Sequence, residues 1–302
     1  MAVDRGTSMN KQAMAARYRV DAGSRFRLDD FDPAETWKLK SKEHAQGWLE
    51  EGVARLSQLQ ARLYAQDRWA VLLIFQAMDT AGKDGTIKHV MSGVNPQGCQ
   101  VFSFKAPSEE DLDHDFLWRT AKCLPERGRI GIFNRSYYEE VLVVRVHPEL
   151  LARQQLPDTA PTKKLWQQRF ESINAHELHL ARNGVVILKF FLHLSKSEQR
   201  RRLLSRLEEP EKNWKFSSAD IREREHWDEY SEAYEQMIRQ TSRPHAPWYV
   251  VPADHKWFTR LVVAEAIVQR LEALKLTWPE VDAGQRRALA KVRHQLENKK
   301  GM

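Results

Sequence analysis

The sequence predicts an α/β protein of three layers, in which helices cover both faces of a central parallel sheet of five strands. Three observations favour this fold. Short apolar runs alternate with helical patterns along the chain, which is typical of a parallel sheet. The first of these runs is apolar at every position, as in a strand buried on both faces. A loop that contains glycine and lysine joins this run to a helix, as in phosphate-binding proteins.

The part of the chain before the first strand is predicted to be a lead-in followed by a helix. Its apolar residues recur at the steps of three and four that mark one helix face: Leu49, Val53, Leu56, Leu59 and Leu63. A later aromatic group has helical spacing and is predicted to pack in the core: Trp227, Tyr230 and Tyr234. We expect a single domain of three parts: residues 1–66, a core at 67–276 and a basic C-terminal tail at 283–302.

The five predicted strands are short apolar runs. They lie at residues 70–75, 100–104, 130–133, 185–192 and 248–251. Between the second and third strands, residues 109–122 are predicted to form one continuous helix. The helix after the fourth strand begins at Ser195, with Glu198 at the spacing of a capping box. Ligands of parallel sheets bind at the carboxyl ends of the strands, so we expect the functional site there.

The composition is that of an ordinary globular protein with a positive surplus. The chain has 302 residues, and 48 Lys and Arg against 41 Asp and Glu give a net charge of +7. Such a surplus attracts polyanions, although a solvated surface would explain it as well. The two cysteines lack the spacing of a metal site, no apolar run could cross a bilayer, and the first residues do not resemble a secretory signal. We therefore expect a cytoplasmic protein without a membrane partner.

The loop at residues 77–84 has the sequence AMDTAGKD and follows the first strand. The usual phosphate loop reads G-x-x-x-x-G-K-[ST] in the same setting, where backbone N–H groups and the lysine bind phosphate oxygens. Ala77 replaces the first glycine and Asp84 replaces the hydroxyl residue, while Asp79 adds a second carboxylate. A glycine–lysine turn can arise by chance, but its place between strand and helix favours a phosphate site. The candidate phosphate contacts are Ala81, Gly82, Lys83, Asp84 and Gly85.

The third strand ends at a second group of candidate residues. Asn134 stands where phosphate-loop enzymes usually have a metal-binding aspartate. Arg135 could clamp phosphate oxygens with two hydrogen bonds, and a surface ion pair is the ordinary alternative. Glu139 is a candidate ligand for a metal or a water, or simply an acid in the first turn of a helix, where acids are favoured. Candidate ligands of a metal ion are therefore Asp79, Asp84 and Glu139.

Five segments of the sequence resemble the polyphosphate kinase 2 family. They are QAMDTAGKD at residues 76–84, SGVNPQ at 92–97, FNRSYYE at 133–139, WKFSSAD at 214–220 and PADHKW at 252–257. The similarity extends over roughly residues 18–276, which is nearly the whole chain. It implies a phosphate-loop kinase fold with a helical lid at about residues 200–240. It also implies a homodimer or homotetramer that uses Mg²⁺, with Mn²⁺ as an alternative.

The resemblance implies roles for residues of the loop and the strand end. Asp79 and Lys83 match essential loop residues of the family, and Arg135 matches its arginine at the neighbouring strand end. Many family members have aspartate where Asn134 stands. An acid at Glu139 resembles the class III subset, which accepts both AMP and ADP, whereas asparagine resembles members that prefer ADP.

The lid is matched more loosely. Arg206 and Asp220 resemble lid residues of the family. Lys212 and Lys215 lie in the polar stretch between them, and we expect these two cations to close over the reacting phosphates.

The implied activity is reversible, in-line transfer of the terminal phosphate of inorganic polyphosphate to AMP and ADP, with guanine nucleotides as an alternative acceptor. An ATP-dependent nucleoside monophosphate kinase would share the loop and the lid, but Asp79 and Asp84 disfavour it. A nucleic-acid-binding phosphate-loop protein is a more distant alternative, so nucleic acid is not an expected partner. Comparing polyphosphate with ATP as donor separates the two enzymes, and salt-sensitive binding without phosphotransfer would indicate the third.

Overall fold

Six strands form one sheet at the centre of the molecule. The structure, a computed structural model, describes residues 11–39, 41–157, 162–213 and 218–298. The strands are β1 (Arg19–Val20), β2 (Ala70–Gln76), β3 (Cys99–Ser103), β4 (Ile130–Asn134), β5 (Val185–His193) and β6 (Trp248–Pro252). They lie in the order β1-β6-β5-β2-β4-β3, and every neighbouring pair is parallel except β1 with β6.

Helices connect the strands and cover the sheet. The α-helices of the described ranges are α1 (Lys11–Arg17), α2 (Lys42–Gln66), α3 (Lys83–Val90), α4 (Glu109–Leu112), α5 (Trp118–Ala121), α6 (Val143–Val146), α7 (Lys163–Arg182), α8 (Lys196–Glu208), α9 (Pro210–Asn213), α10 (Ser218–Glu225), α11 (Trp227–Thr241), α12 (Lys256–Ala273) and α13 (Ala283–Asn298). Shorter 3-10 helices lie at Gly23–Arg25, Leu28–Asp30, Pro96–Gly98, Tyr137–Val141 and Pro148–Gln154.

Strand β2 separates two hydrophobic cores. Val71, Leu73 and Phe75 pack in the core that contains residues of α2 and α12. Leu72 and Ile74 pack in the core that contains residues of α7 and α11. This alternation is the two-residue period of a strand, and here both faces are apolar because helices cover both. The predicted three-layer α/β/α architecture is confirmed.

The five predicted strands are confirmed, each with ends within one residue of the prediction, and they form the parallel part of the sheet. The sixth strand, β1, is an addition. It has only two residues, paired antiparallel to β6 through Arg19 with Tyr249 and Val20 with Trp248. Two residues are too few to show a period, so sequence patterning cannot detect such a strand.

The predicted continuous helix at residues 109–122 is wrong. The structure has α4 and α5 there, with turns between them. Ser108 and Asp111 form a capping box at the start of α4. The Asp115 Oδ1 then accepts a hydrogen bond of 2.9 Å from the Leu117 N–H, a local side-chain bond that competes with helix continuation.

The chain order places a crevice at the carboxyl end of β2. From β2 the chain builds β3 and β4 on one side of that strand, and it later builds β5 and β6 on the other side. The direction of sheet growth therefore reverses beside β2. Ligands of open α/β sheets bind at such a reversal, outside the carboxyl ends of the strands.

The C-terminal helix α13 lies outside the core, since none of its residues is buried. Leu289, Val292 and Leu296 are exposed along it. Neither this helix nor any other in the described ranges combines the length and apolarity needed to cross a membrane.

His193 at the end of β5 makes the stability of the fold depend on pH. Burial lowers the pKa of the imidazole to about 4, and the charge of Asp254 only partly opposes this shift. The unfolded chain takes up the proton near the ordinary value of about 6.5. The contribution of His193 to stability is therefore complete above about pH 6.5 and is lost as the pH falls towards 4, by up to about 1.4 kcal/mol per pH unit.

Urea unfolding of the wild type and of His193→Gln at several pH values tests this expectation. Glutamine does not titrate, so the difference in unfolding free energy between the two proteins should shrink as the pH falls below about 6.5. A difference that stays constant down to about pH 4.5 would show that His193 is not the group responsible.

Candidate active site

The phosphate loop at residues 77–82 has a backbone shape that opens onto helix α3. Thr80 and Gly82 have φ values of +67° and +99°, in the left-handed region. Gly82 is the residue that precedes α3, and glycine adopts this conformation without strain. At Thr80 the left-handed conformation costs roughly 1–3 kcal/mol, and such backbone strain is typical of functional loops. The first N–H groups of α3 have no partner within the helix, so this end can receive an anion.

Lys83 is held inside the loop. Its side chain is only 9% exposed, and its Nζ donates a hydrogen bond of 2.8 Å to the carbonyl oxygen of Ala77. Burial lowers the pKa of Lys83, and the charge of Arg135 lowers it further, while Asp79 opposes both. The approach of a phosphate stabilises the charge of a buried cation that the protein neutralises only in part.

The other predicted loop residues lie around this lysine. Ala81 is buried, and its N–H donates to the Met78 carbonyl at 3.3 Å, which stabilises the loop itself. Gly85 lies in the first turn of α3, and a Cβ at this position would be 3.9 Å from the Arg260 guanidinium. Gly82 and Gly85 both line the cleft described below, whereas Ala81 is not among its lining residues.

Arg135 links the strand end to the phosphate loop. It follows β4 with a φ of +64°, and its N–H donates to the Phe75 carbonyl at 3.0 Å. Its Nη2 lies 2.9 Å from Asp79 Oδ1, and its Nη1 lies 3.8 Å from Glu139 Oε2. Burial opposes the charge of Arg135, but the two carboxylates outweigh it and raise its pKa. The predicted placement of Arg135 opposite the loop agrees with this geometry.

Asn134 contacts the second carboxylate of the loop. Its Nδ2 donates a hydrogen bond of 2.6 Å to Asp84 Oδ1. An aspartate at position 134 would repel Asp84 at this distance, whereas the amide stabilises it. The replacement of the usual acid by Asn134 is thus compatible with the replacement of the usual hydroxyl residue by Asp84.

The carboxylates fit a magnesium ion that is shared with phosphates. The described residues contain no group of three or more His, Cys, Asp or Glu side chains arranged to hold a metal. Mg²⁺ is usually bound through one or two carboxylates together with waters and substrate phosphates, so a site for it does not require three protein ligands. Asp79 and Asp84 line the same cleft, whereas Glu139 lines the adjoining pocket together with Asp79.

The cleft over the phosphate loop has a volume of about 540 Å³ and a strongly cationic lining. The cations that line it are Lys83, Lys105, Arg135, Arg201, Arg202, Arg206, Lys256 and Arg260. The acids that line it are Asp79 and Asp84. Such a surplus of cations in a concave site attracts a polyanion much more strongly than the modest net charge of the chain does.

Arg202 supports the loop and was not among the predicted site residues. Its side chain is 6% exposed, and Nη1 donates to the carbonyls of Thr80 and Ala81 at 3.1 and 2.9 Å. Nη2 donates to the carbonyls of Ala253 and Asp254 at 2.6 and 3.0 Å. These four hydrogen bonds go to main-chain carbonyls, so Arg202 fixes the loop while its charge also lines the cleft. The arginine-rich composition of α8 is the sequence signal that could have drawn attention to it.

Helix α8 begins as predicted but with a different partner for its acid. The Ser195 Oγ accepts a hydrogen bond of 3.1 Å from the Glu198 N–H, which confirms the cap. The predicted return bond is absent, since the Ser195 N–H donates to Asp254 at 2.9 Å. The Glu198 carboxylate instead pairs with Arg201 and Arg202, and thus helps to hold Arg202 against the loop.

The two matched lid residues meet in the structure. Arg206 on α8 and Asp220 on α10 form an ion pair of 3.1 Å. Burial raises the pKa of Asp220, and the charge of Asp79 adds to this effect. The predicted lid cation Lys212 lies on α9, where the structure describes its backbone only. The other predicted lid cation, Lys215, lies outside the described residues.

An aromatic pocket of about 290 Å³ adjoins the cleft. Tyr234 is 3% exposed, so its predicted core position is confirmed. Trp227 and Tyr230 are only partly buried because they line the pocket. The predicted core position is therefore wrong for Trp227, whereas Tyr230 packs against the edge of the core. Arg135 and Glu139 line this pocket, and they also line a second pocket of about 220 Å³.

Known proteins with the same fold and a similar sequence exist. Residues 38–278 match the family model described as polyphosphate kinase 2. The chain is 54% identical to the ADP-polyphosphate phosphotransferase of Rhodopseudomonas palustris, over 93% of this chain and 97% of that protein. It is 46% identical to the AMP/ADP-polyphosphate phosphotransferase of Meiothermus ruber, over 87% and 95%. The crystal structure of polyphosphate kinase 2 from Arthrobacter aurescens superposes with a TM-score of 0.83 at 40% identity, over 91% and 95% of the two chains.

Proposed function

The chain belongs to the polyphosphate kinase 2 family, and we propose that it transfers the terminal phosphoryl group of inorganic polyphosphate to both AMP and ADP. It is a polyphosphate-dependent phosphotransferase. The observation that carries the choice of donor is the cleft over the phosphate loop, with its eight cations against two carboxylates. A chain of repeated phosphate units matches that lining, because each unit brings another negative charge.

Transfer of a phosphoryl group requires positioning and charge stabilisation more than covalent chemistry. We propose that Lys83 and Arg135 neutralise the charge that develops on the transferred group, with the N–H groups at the start of α3. The acceptor's terminal phosphate oxygen is already ionised, so its in-line attack needs no strong general base. Arg206, with Lys212 and Lys215, would close over the phosphates and exclude water, which limits hydrolysis.

Asp79 and Asp84 are the residues that would hold Mg²⁺, or Mn²⁺, in the cleft. When bound, such an ion would supply positive charge that neutralises part of the charge on the phosphates. Arg135 and Asn134 each bond one oxygen of these carboxylates, at 2.9 and 2.6 Å, and so orient them. The role of Glu139 as a ligand of a metal or of its water remains a prediction.

The acceptor range is the finer part of the proposal. The two relatives differ in their names, one for ADP and one for AMP and ADP. Glu139 lies beside Arg135 where the two pockets meet, with its side chain 17% exposed. We propose that this acid organises water or metal around the shorter nucleotide, and that a protein with Glu139 therefore accepts AMP as well as ADP.

Product analysis tests the donor and the acceptor together. With Mg²⁺ and long-chain polyphosphate, the wild type is expected to form ADP and ATP from AMP, and ATP from ADP. Glu139→Asn should lower kcat/KM for AMP by about tenfold or more relative to ADP. Glu126→Gln is the matched control, because this acid is 73% exposed and lies before β4, away from the site.

Two other outcomes would change the proposal. Product from ADP alone in the wild type would leave a polyphosphate kinase without the AMP activity. Product from AMP with ATP as donor, and none with polyphosphate, would indicate the nucleoside monophosphate kinase alternative. We also propose that the enzyme works in the cytoplasm and that it forms a homodimer or a homotetramer. Sedimentation of the purified protein distinguishes these two oligomeric states.

A further inference from the structure

Gln76 is a polar residue in a strand of apolar ones. It is the last residue of β2, its side chain is fully buried, and the other six residues of the strand are apolar. Burying an amide costs free energy unless hydrogen bonds satisfy it. Its Nε2 donates to Glu139 Oε1 at 2.7 Å, and its Oε1 accepts from Ser136 Oγ at 3.4 Å. The amide is therefore satisfied at both ends by residues of the strand-end segment.

These contacts fix the orientation of the amide. The Ser136 side chain is itself fully buried, and its oxygen also accepts from the Tyr138 N–H at 3.2 Å. Its proton is therefore available for Gln76 Oε1. A rotated Gln76 amide would place its oxygen against the Glu139 carboxylate, where two acceptors repel each other.

The hydrogen bond from Gln76 limits how closely Glu139 approaches Arg135. With one oxygen bonded to Gln76, the other oxygen of Glu139 lies 3.8 Å from Arg135 Nη1, beyond hydrogen-bond distance. Arg135 makes its short contact with Asp79 instead, at 2.9 Å. Without the Gln76 donor, Glu139 would be free to turn towards Arg135 and to close their ion pair of 3.8 Å to a direct hydrogen bond. That pair would occupy both groups before the acceptor arrives.

We propose that Gln76 is a positioning residue for acceptor choice, which holds Glu139 apart from Arg135 so that both can serve the acceptor phosphate. This inference rests on the proposed role of Glu139 in the use of AMP. Gln76 acts through Glu139, so its removal should reproduce the effect of changing Glu139 itself.

Gln76→Met tests this directly, because methionine has a similar length and no donor. We expect kcat/KM for AMP to fall by about tenfold relative to that for ADP, the size expected for losing a hydrogen bond to a charged group. Gln76→Leu is a second variant that also lacks the donor, and it should give a loss of the same size. Thermal unfolding of each variant shows whether the fold is intact.

The deciding measurement is a double-mutant cycle with Glu139→Asn. If Gln76 acts through Glu139, then Gln76→Met should change the AMP-to-ADP ratio in the wild type and leave it unchanged in the Glu139→Asn protein. A merely structural role predicts the same loss in both backgrounds. Equal losses for AMP and ADP, or additive effects in the cycle, would overturn the inference while the role of Glu139 stands. An unaltered ratio in Glu139→Asn alone would instead reject the proposed role of Glu139, and this inference with it.

Discussion

Lys83→Met is expected to lower kcat by roughly 10²- to 10³-fold, because it removes a fixed cation from the place where phosphoryl charge develops. The ammonium is buried and donates a hydrogen bond of 2.8 Å to the Ala77 carbonyl. Burial is the main reason why the pKa of Lys83 is lowered. The protein therefore neutralises this charge only in part, and a bound phosphate would complete the neutralisation. Folding should be little affected, since methionine replaces the charged group by an apolar one of similar length.

The control for this change is Lys88→Met, on the exposed side of the same helix. It removes the same charge from α3 and should leave kcat unchanged. Steady-state rates with polyphosphate and ADP, together with thermal unfolding of each protein, make the measurement. Lys83→Arg should not restore the rate, because the planar guanidinium does not fit the space of an ammonium. A folded Lys83→Met protein with near-normal kcat would remove Lys83 from the mechanism.

The phosphate loop could be predicted from the sequence because its parts are contiguous. The strand, the turn and the helix that define it lie within about twenty residues, and local patterns determine each of them. The same holds for the end of β4, where Asn134, Arg135 and Glu139 follow a buried strand. Parallel strands then bring the two segments to one edge of the sheet, so a prediction of the fold also predicts their proximity.

The residues that hold these groups in place could not be predicted in this way. Arg202 contacts the loop across 122 residues of sequence, and Gln76 contacts Glu139 across 63. A helical pattern indicates which side of α8 is buried, but not that a loop carbonyl lies opposite. The same limit applies to Trp227, whose helical spacing predicts a shared face and not the pocket which that face lines.

A buried ion pair stabilises the segment behind Arg135 and is a further example of a long-range contact. Lys189, in the middle of β5, and Glu177, on α7, are both fully buried and lie 2.6 Å apart. Glu177 also accepts from the hydroxyls of Tyr137 and Tyr138 at 2.9 and 2.7 Å. Lys189 donates in addition to the Tyr138 hydroxyl and the Thr241 carbonyl, at 2.8 and 2.9 Å. Each charge is thus surrounded by hydrogen-bond partners, which buried charges require.

Breaking this pair on one side should strongly destabilise the protein. Lys189→Met leaves the Glu177 carboxylate buried without its counter-charge, and such a change typically costs about 3–5 kcal/mol of unfolding free energy. Burial already lowers the pKa of Lys189 to about 8, and Glu177 is what opposes that shift. Glu177→Gln should therefore cost less than Lys189→Met, because a lysine whose pKa burial already lowers can lose its proton when its partner is removed.

Urea unfolding of the single and double variants measures these costs, and the double variant Lys189→Met with Glu177→Gln supplies the critical comparison. It leaves no buried charge, so it should recover much of the stability that Lys189→Met loses. Arg293→Met is the control, since it breaks an ion pair whose side chains are 80% and 60% exposed and should cost at most about 1 kcal/mol. If Lys189→Met cost no more than Arg293→Met, the ion pair between Lys189 and Glu177 would contribute no more to stability than an exposed ion pair. If the double variant were as unstable as the sum of its parts, the loss would come from packing and not from an unpaired charge.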